Sequence, residues 1–284
     1  MIVSPELLNA SWTFFIITPY MIPVFSFKGG FLLGYYLFVV LAILLSFCYM
    51  VKKEGKEAFY LYSKFFKKTK ENSNSFFLIP QIFLGLVFFD CVYDYIMRFY
   101  IHVTPKTPSF GTMPLWKLMF SLSNASVHEE IVSRIMLIGI PLLLIDVFRR
   151  RKIKIRKYFL GGDFDIDPGS LFLIIFSSLI FSYAHVFGWD FYKILPVFAT
   201  GIALGYLFLK KGVYACIILH FSFNYPSVLL TVLEKLPFMN LLAVPLLFFL
   251  SVLIVTWIVA CPFYFLKYVY KMVKNIPKIF KPGV

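Results

Sequence analysis

The sequence predicts an all-α fold, a polytopic transmembrane helical bundle of about eight helices, and three observations predict it. Hydrophobic residues fill 60% of the 284 positions and charged residues only 15%, where a soluble domain has about 45–50% and about 25%. Mean hydropathy is +0.82. Apolar stretches of about 18 residues or more recur along the whole length, each long enough to cross a bilayer as a helix. Finally, 21 of the 28 Lys and Arg fall in four segments: seven in 52–75, seven in 149–169, two at Lys210 and Lys211, and five in 267–284. Helices that bring these segments to one face obey the positive-inside rule. The net charge of +14 then reads as topology and contact with anionic lipid, so the expected partner is the bilayer and not nucleic acid.

Taken in order, the apolar segments run 7–27, 31–51, 76–100, 114–148, 170–189, 191–209, 213–233 and 237–266. The first is the weakest helix, because Pro19 and Pro23 would kink it or leave it partly interfacial. It has no basic leading region, so it does not read as a cleavable signal peptide. Between the second and third segments, Lys52 to Ser75 mixes lysines with Phe59, Tyr60, Tyr62, Phe65 and Phe66, the pattern of an amphipathic helix on the inner leaflet. Residues 101–113, with Pro105, Pro108 and Gly111, form an external turn-rich connection. Arg149 to Gly169 is the second basic loop. Its Asp163, Asp165 and Asp167 lack the glycine and distal glutamate of a calcium loop. Cys48, Cys91, Cys216 and Cys261 form no CxxC pair and read as core residues. Eight crossings put both termini on the basic, cytoplasmic side. Residues 1–284 read as one integral membrane domain without internal repeats, and the richness in Lys, Phe and Ile points to a prokaryotic plasma membrane.

Polar residues inside apolar segments are the functional candidates, since charge at bilayer depth costs several kcal/mol unless it is paired. Glu129, Glu130 and Arg134 stand within the fourth segment. Glu130 and Arg134, four apart, share a helical face and can pair. Glu129 projects about 100° away from Glu130, free to face a polar cavity as a general base. His185 lies in the fifth apolar segment, 170–189, and His220 and Asn224 share a face of the seventh, 213–233. Asp90 and Asp94 form another i,i+4 pair, with Arg98 placed to bind Asp94 structurally.

Glu129-Glu130-x-x-x-Arg134, Phe181-x-x-x-His185 and His220-x-x-x-Asn224, in that order, resemble the three-motif signature of a family of intramembrane proteases. This is the CAAX protease and bacteriocin-processing (CPBP, or Abi) family, related to the type II CAAX prenyl endopeptidase. The resemblance covers 114–233, the catalytic core of the family. It implies a hydrolase, an intramembrane endopeptidase acting on a membrane-associated peptide or lipidated, CAAX-type protein. Carried over by motif, Glu129 activates a water and His185 positions it or moves its proton. His220 and Asn224 stabilise the oxyanion, while Glu130 and Arg134 orient Glu129. Two departures stand out: His128 directly before the glutamates, and a long basic loop between the first two motifs. Val132 excludes an HExxH zinc motif.

Two mechanisms stay open at this level. His185, His220 and Glu129 are a good Zn2+ donor set by ligand type, and the family is commonly labelled a metalloprotease. Glu129 with His185 can equally activate water without metal, the reading we prefer, because Asn224 is a poor zinc ligand. Two other functions compete: a non-catalytic immunity or scaffold protein on the same fold, and a proton-coupled transporter, which would show inverted repeats. One geometric tension accompanies the motifs. Along ideal helices His185 falls near the outer end of its segment and His220 near the inner end of its own, so the two meet only if helices tilt or boundaries shift.

Overall fold

The computed structural model describes residues 8–17, 21–63, 74–104, 106, 113–234, 266, 270, 273 and 274. Five of its helices are long and apolar enough to cross a membrane, and the all-α membrane bundle expected from the sequence is what they build. The eighth expected segment, 237–266, lies outside the described residues, apart from its last position.

The first apolar segment is not a helix. Ser11–Ile17 (β1) and Met21–Lys28 (β2) pair antiparallel, with Phe14 opposite Phe25 and Phe15 opposite Pro23, so that Val24 bulges out. Pro23 cannot donate to a helix or a regular ladder, and a bulge accommodates it. The flanking β-branched and aromatic residues favour extended backbone. Phe14 is buried against Phe25, Phe27, Tyr35 and His128, with ring centroids 4.7, 5.4, 5.1 and 5.2 Å away. His128, the unexpected neighbour of the glutamates, therefore packs on the hairpin. The count of eight helical crossings, which put both termini on one face, needed residues 7–27 to cross as a helix.

Helix α1 spans Gly29–Ser63, 35 residues without interruption. Residues 52–63 thus continue the membrane helix and do not form the separate surface helix that the lysine–aromatic pattern suggests, while 64–73 of that stretch lie outside the described residues. The reason is Glu54. Buried on α1, it draws in Lys211 and Tyr214 and the start of the next helix, which fixes the last turns in place. Helix α2, Ser75–Phe99, begins at Asn74, whose side chain accepts from Phe76 N, a standard N-cap.

A continuous helical rod, Leu115–Phe148, carries the charged hexad 129–134, with Glu129, Glu130 and Arg134. It consists of α3 (Leu115–Glu130), a π-helical stretch Ile131–Gly139 and α4 (Ile140–Phe148). Pro141 cannot donate to Leu137 in an α-ladder, and widening the helix before it relieves the conflict. The Ser133 carbonyl in this stretch accepts from Ser177 Oγ at 2.6 Å. Gly139 faces the Tyr158 carbonyl so closely that a Cβ there would stand 2.1 Å from the oxygen. The short α5, Ile155–Leu160, therefore lies directly on the rod.

Helices α6 (Pro168–Trp189), α7 (Ile194–Lys210) and α8 (Val213–Glu234) complete the described bundle. Asp167 opens α6 with a capping box to Ser170. Gly201 and Gly205 let α7 approach α6, where any Cβ would press on Ser178 and Ile174 at 2.9 Å. Helix α8 packs on α1, α2, α3 and α7, and α6 on α7 and the π stretch. The main core lies among them, from Ile138 and Leu142 through Leu173 and Ile174 to Leu207, Phe208 and Leu219. Cys216 is buried, as expected, whereas Cys48 and Cys91 are exposed on the helix surface, where lipid and not protein would be their neighbour.

Candidate active site

Three elements converge on the hexad: the end of α3 with the π stretch, the second half of α6, and the first third of α8. Glu130 and Arg134 are fully buried and paired, Nε to Oε2 at 3.1 Å. Arg134 Nη1 donates to Ser177 Oγ at 3.2 Å, and its guanidinium carbon lies 5.2 Å from the Phe181 ring centroid, a cation–π distance. The other Glu130 oxygen accepts from His220 Nδ1 at 2.7 Å. A buried pair survives only when its remaining valences are met, and here α6 and α8 meet most of them.

That anchoring sets both imidazoles. A carboxylate beside an arginine only accepts, so Nδ1 of His220 carries the proton and Nε2 points onward. His185 Nδ1 lies 2.8 Å from the Phe181 carbonyl, which likewise only accepts, so this ring too has its proton on Nδ1. Both Nε2 atoms face Glu129 Oε2, at 3.8 Å from His185 and 3.7 Å from His220. The depth conflict read from the sequence is resolved in the same way. His185 and His220 do meet, since both Nε2 atoms lie within 3.8 Å of the same Glu129 oxygen.

Glu129 Oε2 is buried and has no hydrogen-bond partner among the described residues. With both rings neutral, three acceptors converge on one small space and no donor enters it. Such a space calls for a group with two protons to give, or for a cation. A water satisfies the first condition. By chemistry His185, His220 and Glu129 also suit Zn2+, and each imidazole has its Nδ1 tied in the manner that orients zinc ligands. The 3.7 and 3.8 Å separations are wider than the roughly 3.4 Å subtended by two ligands about 2.1 Å from a tetrahedral ion. Among the described residues no group of three His, Cys, Asp or Glu forms a ready metal cluster. The donor set suits zinc by residue type, but at these separations it is not drawn together as a metal site.

Asn224 comes to the same region but turns to α3. Its Nδ2 donates to the Leu122 carbonyl and to Ser126 Oγ, both at 3.2 Å. Asp90 and Asp94 lie apart. Asp94 pairs with Arg98 at 2.8 Å and accepts from Tyr192, the structural role expected of it. The sequence reading passed over Ser177, Ser133 and Ser126. Ser177 stands four before Phe181 and eight before His185, on one helical face, a signal that could have found it.

Fold and site together define a class: a multi-pass, all-α membrane protein with a carboxylate–imidazole centre buried among its helices. Residues 111–226 match the family model of the type II CAAX prenyl endopeptidase Rce1-like proteins. That match contains all three motifs and supports the CPBP/Rce1-like resemblance they implied. That family is one of peptidases. Neither a curated protein nor a solved structure matches the chain.

Proposed function

We propose that the protein is an intramembrane endopeptidase that hydrolyses a peptide bond in a membrane-associated peptide or lipidated protein, with Glu129 as the general base. One observation carries this reading: the buried, unpartnered Glu129 Oε2 facing the Nε2 atoms of His185 and His220. A water in that space donates one proton to Glu129 and the other to a neutral imidazole, leaving a lone pair for the scissile carbonyl. As its oxygen attacks, Glu129 takes the proton. Glu129 then gives up that proton by way of His185 Nε2, whose ring is held by the Phe181 carbonyl, and the leaving amine receives it. When His220 Nε2 takes up a proton from solvent, Glu130 on Nδ1 compensates the charge, and the Nε2–H donates to the oxyanion. Asn224, with both amide protons directed at α3, is a positioning residue that fixes α8 against the Glu129 helix. A zinc ion held by His185, His220 and Glu129 would supply a water of lowered pKa; without it, Glu129 and His185 suffice.

The basic segments define the cytoplasmic face by the charge rule, which puts the hairpin on the opposite face, and a prokaryotic plasma membrane fits the composition. Glu129→Gln and His185→Ala should each abolish cleavage while expression and membrane insertion stay normal. Comparing membrane and secreted peptides from cells with wild-type protein and with Glu129→Gln identifies the substrate. Full proteolytic activity in both variants would sink the enzyme reading. Metal content measured beside activity, with and without a chelator, separates the two routes to the nucleophile.

A further inference from the structure

One cavity lies apart from the Glu129 site. It measures about 1000 Å³ and opens at the end of the bundle where the basic loops gather. None of Glu129, Glu130, His185 and His220 lines it. Its floor is apolar and drawn from the membrane helices: Leu45 of α1, Leu142 and Ile145 of α4, Val213 of α8. Its rim carries eight Lys or Arg against four Asp.

Part of that charge is already matched. Arg151 pairs with Asp146 at 3.1 Å, and Lys211 with Glu54 at 2.9 Å. Lys157 lies over the Phe164 ring at 4.3 Å. Burial pushes the Asp167 carboxyl up, but the Ser170 N–H bond with nearby Arg149 and Arg151 holds it below its usual range, so Asp167 stays an ionised cap of α6. Arg149 has the nearby Asp167 carboxylate, and Lys152, Lys154 and Arg156 have no ion-pair partner among the described residues; all four are exposed.

The surroundings place this rim at a lipid surface. Phe148 and Ile155 are 85% and 63% exposed, and Phe159 and Leu160 are exposed beside them. Bulky apolar side chains alternating with unpaired cations are the signature of a segment seated between headgroups and acyl chains. An apolar floor under a cationic rim suits one chemistry, an anionic phosphate with hydrocarbon attached. We propose that this cavity binds the phosphate headgroup of an anionic membrane phospholipid, with Arg149, Lys152, Lys154 and Arg156 facing the phosphate and the acyl chains running along Leu45, Leu142 and Ile145. The proposal is independent of the catalytic reading.

Native mass spectrometry of the detergent-purified full-length chain, titrated with phosphatidylglycerol or phosphatidylcholine, tests it. Wild type should bind phosphatidylglycerol at least about tenfold more tightly, since each basic residue near an anionic headgroup contributes measurably. The combined variant Arg149→Gln, Lys152→Gln, Lys154→Gln, Arg156→Gln should lose the preference while unfolding at the same temperature. If that variant fails to insert, Asp163→Asn with Asp165→Asn supplies the opposite arm, because removing two competing carboxylates should tighten phosphatidylglycerol binding about threefold. Equal binding of the two lipids by wild type, or a preference that neither variant changes, overturns the site. Protection from thermal unfolding by inorganic phosphate but not by phosphatidylglycerol overturns the lipid assignment in favour of a soluble phosphate.

Discussion

Two buried carboxylates in this molecule have cationic partners and reach across three helices, yet they differ in one respect. Around Glu54 every valence is used. One oxygen accepts from Lys211 Nζ at 2.9 Å and Tyr214 OH at 3.1 Å, and the other from the Ser75 backbone N–H. Tyr214 closes the ring by a 3.0 Å bond with Ser75 Oγ, and Asn74 Nδ2 donates to the Glu54 carbonyl. Around Glu130 both oxygens are likewise used, by Arg134 and His220, but Arg134 Nη2 has no partner and the adjoining Glu129 is left with an unpartnered acceptor oxygen. A latch saturates its acceptors because an unmet buried one weakens it. A reaction centre leaves one unmet at the point where the reactant enters. Charge and burial alone do not separate the two regions; the leftover valence does.

The strongest test of that distinction is Glu129→Gln. A glutamine keeps the shape and removes the base, so cleavage of a membrane-tethered reporter should fall by at least about 100-fold, the lower range for general-base catalysis. Thermal unfolding in detergent should not move. Unfolding at a lower temperature with cleavage retained would make Glu129 part of a latch after all, and the contrast with Glu54 would collapse.

Glu54→Ala should give the mirror image. It strands the Lys211 ammonium and removes the acceptor of the Ser75 N–H, a loss of roughly 3–5 kcal/mol for a broken buried pair. The midpoint of unfolding should fall steeply, while cleavage per folded molecule stays near wild type. Adding Lys211→Met should recover part of the loss, since the stranded charge goes with it. A Glu54→Ala protein of normal stability would remove the latch from the comparison.

Ser177→Ala probes the boundary between the two kinds of region. The hydroxyl accepts from Arg134 and donates to the Ser133 carbonyl, and its loss leaves a guanidinium N–H buried and unpaired, worth roughly 1–3 kcal/mol. Because Arg134 holds Glu130, which holds His220, the cleavage rate should drop less than with Glu129→Gln. The drop should appear in kcat and leave KM nearly unchanged. A change in stability alone, with kcat intact, would assign Ser177 to packing.

How much of this was legible in the chain follows from the range of each interaction. The Glu130–Arg134 pair is an i,i+4 event on one helix, so spacing alone yields it, and the three motifs named the residues that meet. The hairpin at Ser11–Ile17 and Met21–Lys28 was missed because a run of apolar residues carries no periodicity to tell strand from helix; Pro23 was read as a kink when it marks a bulge. The Glu54 latch joins residues 54, 75, 211 and 214, distant in sequence. Lys52 and Lys53 beside Glu54 made that stretch look solvated. Ser177 was hidden for another reason, since a serine in a membrane helix can satisfy its hydroxyl on its own backbone, as Ser178 does on Ile174.

The smallest effect separates two roles for Asn224. Its amide donates twice to α3, to Leu122 and to Ser126, bonds worth about 0.5–1.5 kcal/mol each. Asn224→Ala should therefore lower the unfolding temperature modestly and reduce kcat by less than about tenfold, a cost consistent with a slightly misplaced His220. An oxyanion donor behaves differently, because deleting one costs about 100-fold or more in kcat with little change in stability. Measuring both quantities on the same preparation decides. A large loss of kcat at constant stability would move Asn224 from the saturated region into the reactive one, and would require that one of its amide protons leave α3 when substrate binds.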